Sequence, residues 1–350
     1  MKKKKKIGLK DIASRAEVSI ATVSYVLSNG KNNRVSAKMA EKIKAIAKDL
    51  NYRPNQIAQS LKSGKTKTIG LIVADISNPF FSHIARIIED VASHYDYTVI
   101  FGSSDERPEK TMRLLEFLAD RQVDGFILAP TGGHTEQVSF LQERDIPFVL
   151  IDRHFPDLET DYVVIDNFKA SYRAIERLIR TGNRRIGMIA YGTELYHMRE
   201  RVRGYTEALK DYDIEREVDW LKIVDVTRIE EDVPPIIEKM FSGDNTIEAL
   251  FFATNTLAIA GLKRLGSLHV KIPRDLRIVS FDEGEAFDFF YCPLTYLRQP
   301  LDAMGRNAVE ILVEKISTPE VPKRKVILEA ELRIRQSCAL ETEKNVVRRP

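Results

Sequence analysis

The chain has 350 residues, 43% hydrophobic and 30% charged, which excludes a wholly disordered chain and exceeds what one ordinary core accommodates. Its net charge of +3 hides two opposed blocks: residues 1–65 hold 16 Lys and Arg against 4 Asp and Glu, and the remainder holds 38 against 47. A polyanion partner is therefore expected for the N-terminal part alone, while two cysteines in no metal-ligand spacing and no apolar run of 18 residues argue against a disulfide framework, a metal site and a membrane span.

Lys2–Lys6 reads either as an arm touching phosphates non-specifically or as a tail artefact. The following Ile7-Gly8-Leu9-Lys10-Asp11 carries charge where a signal peptide needs an apolar stretch, so a cytoplasmic protein is expected. Ile12, Ala13 and Ala16, then Val23, Val26 and Leu27, repeat at helical spacing around Glu17-Val18-Ser19, which is a helix-turn-helix pattern. Ser19 is placed to cap the second helix, whose first turns expose Ile20, Ala21 and Ser24 as a recognition helix exposes its base-reading side chains. A third helix is expected from the N-cap Ser36 to about Leu50, with Met39, Ile43, Ile46 and Ala47 on one face, ending at Asn51 ahead of Pro54. Asn55 to Lys62 has helical propensity but is too short to be a stable helix alone.

From Ile69 the texture changes to apolar runs alternating with amphipathic helices. Seven strands are expected, at 69–73, 98–101, 125–128, 148–151, 186–189, 249–252 and 278–281. Continuous apolar strands separated by helices imply parallel sheets covered on both faces, and a long polar stretch at Asp157–Asn167 suggests a division into two lobes. Ligands of such folds sit at the carboxyl ends of the strands, where this chain carries Asp75, Asp105, Asp152-Arg153, Asn255 and Asp282.

Taken together, Lys10-Asp11-Ile12-Ala13, Val18-Ser19-Ile20-Ala21-Thr22-Val23-Ser24, Leu50-Asn51-Tyr52-Arg53-Pro54-Asn55, Ala58-Gln59-Ser60-Leu61, Asn78-Pro79-Phe80-Phe81, Arg201-Val202-Arg203-Gly204-Tyr205, Val279-Ser280-Phe281-Asp282 and Gln299-Pro300 resemble the LacI/GalR family of bacterial repressors. The resemblance covers Leu9 to Ser337. It implies an all-α helix-turn-helix head plus an α/β periplasmic-binding-protein-like core of two parallel-sheet lobes. The expected parts are a head at 1–53, a hinge helix and linker at 54–66, a body at 67–340 and a tail at 341–350. Within the body, lobe 1 is expected at about 67–166 plus 298–336 and lobe 2 at about 167–297. Three departures stand out: Glu17 where relatives usually place Gly, a loop at Asn29–Arg34 about two residues longer than in the founding member, and Thr256 where relatives commonly carry Asp. Glu17 costs about 1 kcal/mol if its φ is positive.

The resemblance also implies partners and sites. The DNA-binding set is Ser19, Ile20, Ala21, Thr22, Ser24, Tyr25, Ser36, Tyr52, Asn55, Ala58, Gln59 and Leu61, acting on double-stranded operator DNA with inverted half-sites. Ser19, Thr22 and Ser24 are expected on phosphates, and Tyr25 to supply a hydroxyl; Ile20 and Ala21 are modest base readers or mere packing residues. Leu61 is the candidate wedge between base steps in the minor groove, the alternative being an ordinary linker hydrophobe. A homodimer is expected, and the stripe Ile84, Ile87, Ile88 and Val91 resembles the family's dimer face but is equally explained by packing on its own sheet. For a small effector, a sugar or sugar derivative, Phe80, Phe81 and Phe252 are expected as walls and Asp152, Arg153, His197, Arg201, Asn255 and Asp282 as polar contacts. Asp282 also reads as a strand-end cap and Arg201 as a structural ion pair.

No cofactor, metal or membrane partner is expected. Three rivals fare worse. An enzyme lacks support, since there is no nucleophile elbow, zinc-binding helix motif or dinucleotide fingerprint, and Ser63-Gly64-Lys65-Thr66 has Gln59 where a phosphate loop needs glycine. A secreted sugar-binding protein is at odds with the basic head, and a non-specific architectural DNA protein with the large lobed body.

Overall fold

The structure, a computed structural model, describes residues 7–27, 35–52, 64–132, 135–215, 218–241 and 246–339. The chain divides into two compact units, residues 1–66 and 67–350. The hinge candidates Asn55, Ala58, Gln59 and Leu61 lie outside the described residues, as do the Lys run, the Asn29–Arg34 loop and the tail.

The first unit is built from α1 (Leu9–Ala16), α2 (Ile20–Leu27) and α3 (Ala37–Asp49). Their apolar faces meet in one core of Ile12, Ala13, Ala16, Val23, Val26, Ile43 and Ala47. The turn between α1 and α2 runs through Glu17 in the left-handed region, φ 62° and ψ 42°, so the strain expected from replacing glycine is present. Ser19 Oγ accepts the Thr22 amide at 3.1 Å and Ser36 Oγ the Met39 amide at 3.4 Å, so both serines cap helices as their type favours.

The second unit holds two six-stranded sheets. One has the order β11-β5-β4-β3-β1-β2, from β1 (Thr68–Val73), β2 (Thr98–Ser103), β3 (Gly125–Leu128), β4 (Phe148–Ile151), β5 (Tyr162–Ile165) and β11 (Lys325–Leu328). The other has the order β12-β10-β9-β8-β6-β7, from β6 (Ile186–Tyr191), β7 (Leu221–Val224), β8 (Ala249–Phe252), β9 (Arg277–Phe281), β10 (Thr295–Arg298) and β12 (Glu331–Arg333). All pairings are parallel except β10 with β12. Helices cover the faces, among them α4 (Pro79–His94), α5 (Pro108–Asp120) and α6 (Glu136–Glu143) with the first sheet. The second has α7 (Asn167–Arg180), α8 (Tyr196–Asp211), α9 (Ile229–Met240), α10 (Asn255–Ser267) and the short α11 (Ala286–Phe289), and α12 (Leu301–Ser317) returns to the first.

Two expectations need correction. The polar stretch Asp157–Asn167 contains β5, a buried strand of Tyr162, Val163, Val164 and Ile165. The lobe boundary at 298–336 is also too coarse: β11 joins the first sheet, but β12 pairs with β10 and Ser337 bonds to Pro293, Thr295 and Ile278, so the chain from Glu331 belongs to the second lobe. The backbone thus crosses between lobes three times, at 165–167, 298–301 and 328–331. The crossings lie side by side, since the Asp166 amide donates to the Leu328 carbonyl at 2.9 Å and Arg298 faces Glu331 in register.

The α4 stripe resolves in favour of its own core, with Ile84, Ile88 and Val91 buried beneath the helix and Ile87 half-buried. Apolar side chains are left uncovered elsewhere, among them Ile100 and Phe101 of β2 and Ile223 of β7 on the outer strands.

Candidate functional site

On the head, Ile20 is 49% exposed and Ala21 lies open beside it, so neither is consumed by the core that holds Val23 and Val26. Ser19 Oγ and Thr22 Oγ1 sit 2.9 Å apart at the exposed start of α2. Ser24 and Tyr25 are half-buried on the same helix, Ser36 is exposed at the start of α3, and Tyr52 packs partly against the head core. An exposed branched apolar side chain flanked by hydroxyls on a helix N-terminal turn has the chemistry that a duplex groove and its phosphates could take up, and the positive charge balance of residues 1–65 favours a polyanion.

In the body, the carboxyl ends of the two sheets face a cleft of about 640 Å³, open mouth included. Asp152 follows β4 and Asp282 follows β9, the third strand in each sheet order, and both adopt left-handed backbone, φ 67° and 63°. That shared turn directs each carboxylate off the strand end into the cleft.

Asp152 and Arg153 belong to lobe 1. Arg153 is clamped by Glu106, with Nη2 to Oε1 at 2.6 Å and Nη1 to Oε2 at 2.7 Å. It also donates to the Pro130 carbonyl at 3.3 Å, and its Nε lies 3.4 Å from Asp152 Oδ2. Burial alone would raise Glu106, but the charge and hydrogen bonds of Arg153 outweigh it and hold the carboxyl below its ordinary value. Asp152 lacks such a clamp, and burial pushes it up to about 6 despite Arg153 and Arg201 nearby.

Arg201, Asp282 and His197 belong to lobe 2. Arg201 donates from Nε to Asn167 Oδ1 at 2.8 Å and from Nη1 to the Ala253 carbonyl at 2.7 Å, with its guanidinium 3.4 Å from the Phe281 ring centroid. Asp282 is 3.9 Å away and accepts from Gln299 Nε2 at 2.6 Å. Burial raises Asp282 and lowers Arg201. His197 is held well below its ordinary value, first by burial and then by Arg153 and Arg201, so its imidazole is neutral. Its Nδ1 and the Oε1 of Gln299 are buried without a hydrogen-bond partner among the described residues. Buried orphan polar atoms on a cleft wall are what a ligand satisfies.

Gly204 explains how Arg201 is delivered. A Cβ there would meet the Phe168 carbonyl at 2.4 Å, so only glycine lets α8 lie directly on α7, which sets Arg201 beside Asn167 at the start of α7.

Of the nine expected effector residues, seven line the cleft: Phe80, Phe81, Asp152, Arg153, His197, Arg201 and Asp282. The Phe80 and Phe81 rings meet edge to face at 4.9 Å. Two do not line it. Phe252 is fully buried against Gly261, where a Cβ would come within 2.3 Å of its ring, so it is a core residue. Asn255 instead bridges the lobes, its Nδ2 donating to Asn78 Oδ1 at 3.2 Å. The site set missed Glu106, Gln299, Tyr191, Met198 and Thr254; Gln299 was visible as a motif residue, whereas Glu106 had no signal beyond standing next to the strand-end Asp105.

Among the described residues no cluster of His, Cys, Asp and Glu is arranged to hold a metal, and no helix is long and apolar enough to cross a membrane. Residues 8–55 match the model of bacterial regulatory proteins of the lacI family, and residues 66–336 that of periplasmic binding proteins and the sugar binding domain of the LacI family. The HTH-type transcriptional regulator RegA of Clostridium saccharobutylicum is 33% identical over 94% of this chain and 98% of its own, and the ribose operon repressor of Haemophilus influenzae 30% over the same shares. The structure of a transcriptional regulator CelR–cellobiose complex is similar with a TM-score of 0.70 at 27% identity, covering 95% of this chain and 99% of that one. With a helix-turn-helix head and a two-lobed body each matched in its own right, this chain belongs to the LacI family of bacterial transcription regulators.

Proposed function

We propose that this protein is a homodimeric repressor that reads an inverted-repeat operator and whose DNA affinity is set by a small carbohydrate bound between the lobes. The observation that carries the effector half is the pair Asp152 and Asp282 with orphan polar atoms at His197 and Gln299, all buried in the wall of the cleft. Carboxylates, an amide and an imidazole over a pair of aromatic rings suit a ligand with many hydroxyls and an apolar face. The sugar-binding-domain match and the cellobiose complex of a relative support the same class. For the dimer, the exposed apolar residues of β2 and β7 offer an outer edge on each lobe to a second copy.

A ligand moves DNA affinity only if it binds the two lobe arrangements with different free energy. Selection of bound DNA from a random pool tests the operator, and fluorescence anisotropy on the recovered sequence with added sugars tests control. An inverted repeat and a sugar-dependent affinity are expected, with Leu61→Ala weakening specific binding by about a hundredfold through loss of the groove wedge. No enriched sequence, or one without two-fold symmetry, overturns the reading.

A further inference from the structure

Both guanidiniums of the cleft spend two of their three nitrogens on the protein. Arg153 spends Nη1 and Nη2 on Glu106 and the Pro130 carbonyl, and Arg201 spends Nε and Nη1 on Asn167 and the Ala253 carbonyl. Four carboxylates, Asp75, Glu106, Asp152 and Asp282, line the same cleft against these two cations, and His197 adds no charge. What is left unsatisfied is mainly of accepting character, the Asp152 carboxylate, held by one contact at 3.4 Å, and the buried Oε1 of Gln299, beside the single Nε donor of Arg153 and the ring Nδ1 of His197. An entering anion would meet net negative charge with the Nη1/Nη2 fork of Arg153 already filled by Glu106, whereas hydroxyls meet waiting acceptors.

We propose that Glu106 determines specificity: by clamping Arg153 it makes the cleft accept an uncharged polyhydroxylated ligand and refuse phosphorylated or carboxylated counterparts. The inference rests on the carbohydrate reading above. The backbone places Glu106 for this role. Asp105 and Glu106 are consecutive left-handed residues, φ 53° and 56°, and the Glu106 amide donates to the Ala74 carbonyl at 3.0 Å just past β1. Asp105 is held outside by Ser103 and Lys110, so the turn delivers only the second carboxylate to Arg153. Such a conformation is costly for residues with a Cβ and persists where surrounding bonds impose it.

Calorimetry and thermal shift on the full chain with paired probes test this: ribose and ribose 5-phosphate, glucose, glucose 6-phosphate and gluconate, cellobiose and cellobionate, with the nucleobase hypoxanthine as a non-sugar. At least one neutral sugar is expected to bind, with its charged counterpart at least about tenfold weaker. In Glu106→Gln, which frees Arg153, that ratio should narrow about tenfold or more, while Glu106→Leu/Arg153→Met, which removes both members, should keep it. A charged counterpart binding wild type as tightly as its neutral parent overturns the selectivity and leaves the carbohydrate reading standing. Hypoxanthine binding without any sugar overturns both. An unchanged ratio in folded Glu106→Gln, or a ratio that also collapses in the double variant, removes Glu106 from the role; if Glu106→Gln does not fold, the wild-type pairs and the double variant still decide.

Discussion

The two lobes present the same device with opposite electrostatics. Each ends its third strand on an aspartate in left-handed backbone and sets a buried arginine beside it. In lobe 1 the arginine is locked by a carboxylate, and Glu106 with Asp152 overcomes burial to raise the Arg153 pKa. In lobe 2 Arg201 is held by an amide, a carbonyl and an aromatic face, and burial wins, so its pKa falls. One fold, duplicated, therefore yields a wall in which Arg153 faces two carboxylates and a wall in which Arg201 faces one at longer range.

The sharpest way to break this comparison is to remove the arginines one at a time. Arg153→Met strands Glu106 and Asp152, and a loss of about 3–5 kcal/mol near neutral pH is expected, because breaking a buried pair leaves an uncompensated charge. Glu106 has its folded pKa lowered, so the stability the pair contributes is present above about pH 4.5 and lost as pH falls through the depressed value; the variant's deficit should shrink on acidification. Arg201→Met strands the Asn167 and Ala253 oxygens and removes only the longer 3.9 Å pair with Asp282, so a smaller loss of about 2–4 kcal/mol with weaker pH dependence is expected. Chemical denaturation of both variants across pH compares them directly, and matching pH profiles would erase the distinction between the walls.

Gly204→Ala sharpens it from a distance. Forcing α8 away from α7 should cost about 1–3 kcal/mol and, by moving Arg201, weaken the effector response more than it weakens DNA binding without effector, as titration of each would show. The aspartates supply the next test. Asp152 has its folded pKa raised to about 6, so its contribution is fully present below about pH 4 and lost as pH rises through about 6. Asp152→Asn should therefore raise the unfolding free energy near pH 8 by an amount on the order of 1–3 kcal/mol, with the gain vanishing near pH 4 and ligand affinity reduced, as denaturation and ligand titration would show. The smallest expected effect is that of Asn255→Ala, about 0.5–1.5 kcal/mol, read as a shift toward the open lobe arrangement by small-angle scattering.

Strand-end chemistry was legible in the sequence because the fold itself dictates where a parallel sheet meets its ligand; Asp152, Arg153 and Asp282 needed only the apolar runs before them. The head was equally open to reading, since three short helices with capping serines leave few alternatives. What escaped has specific causes. The strands β7, β10, β11 and β12 are short or half-exposed, so they lack the continuous apolar run that marks a central strand. β5 was hidden by the polar residues around it. Phe252 looked like a cleft wall because it closes a strand, but the pleat turns it toward Gly261 of α10. Glu106 depended on two consecutive left-handed residues, which no pattern of side-chain types announces.

The three crossings, tied to one another by Asp166, Leu328, Arg298 and Glu331, act like a door hung on three aligned pins. Such a mounting leaves swinging easy and makes sliding or twisting expensive. Under the proposed function, ligands of different outline would thereby be reduced to one opening angle, a graded number rather than a description of the molecule that caused it.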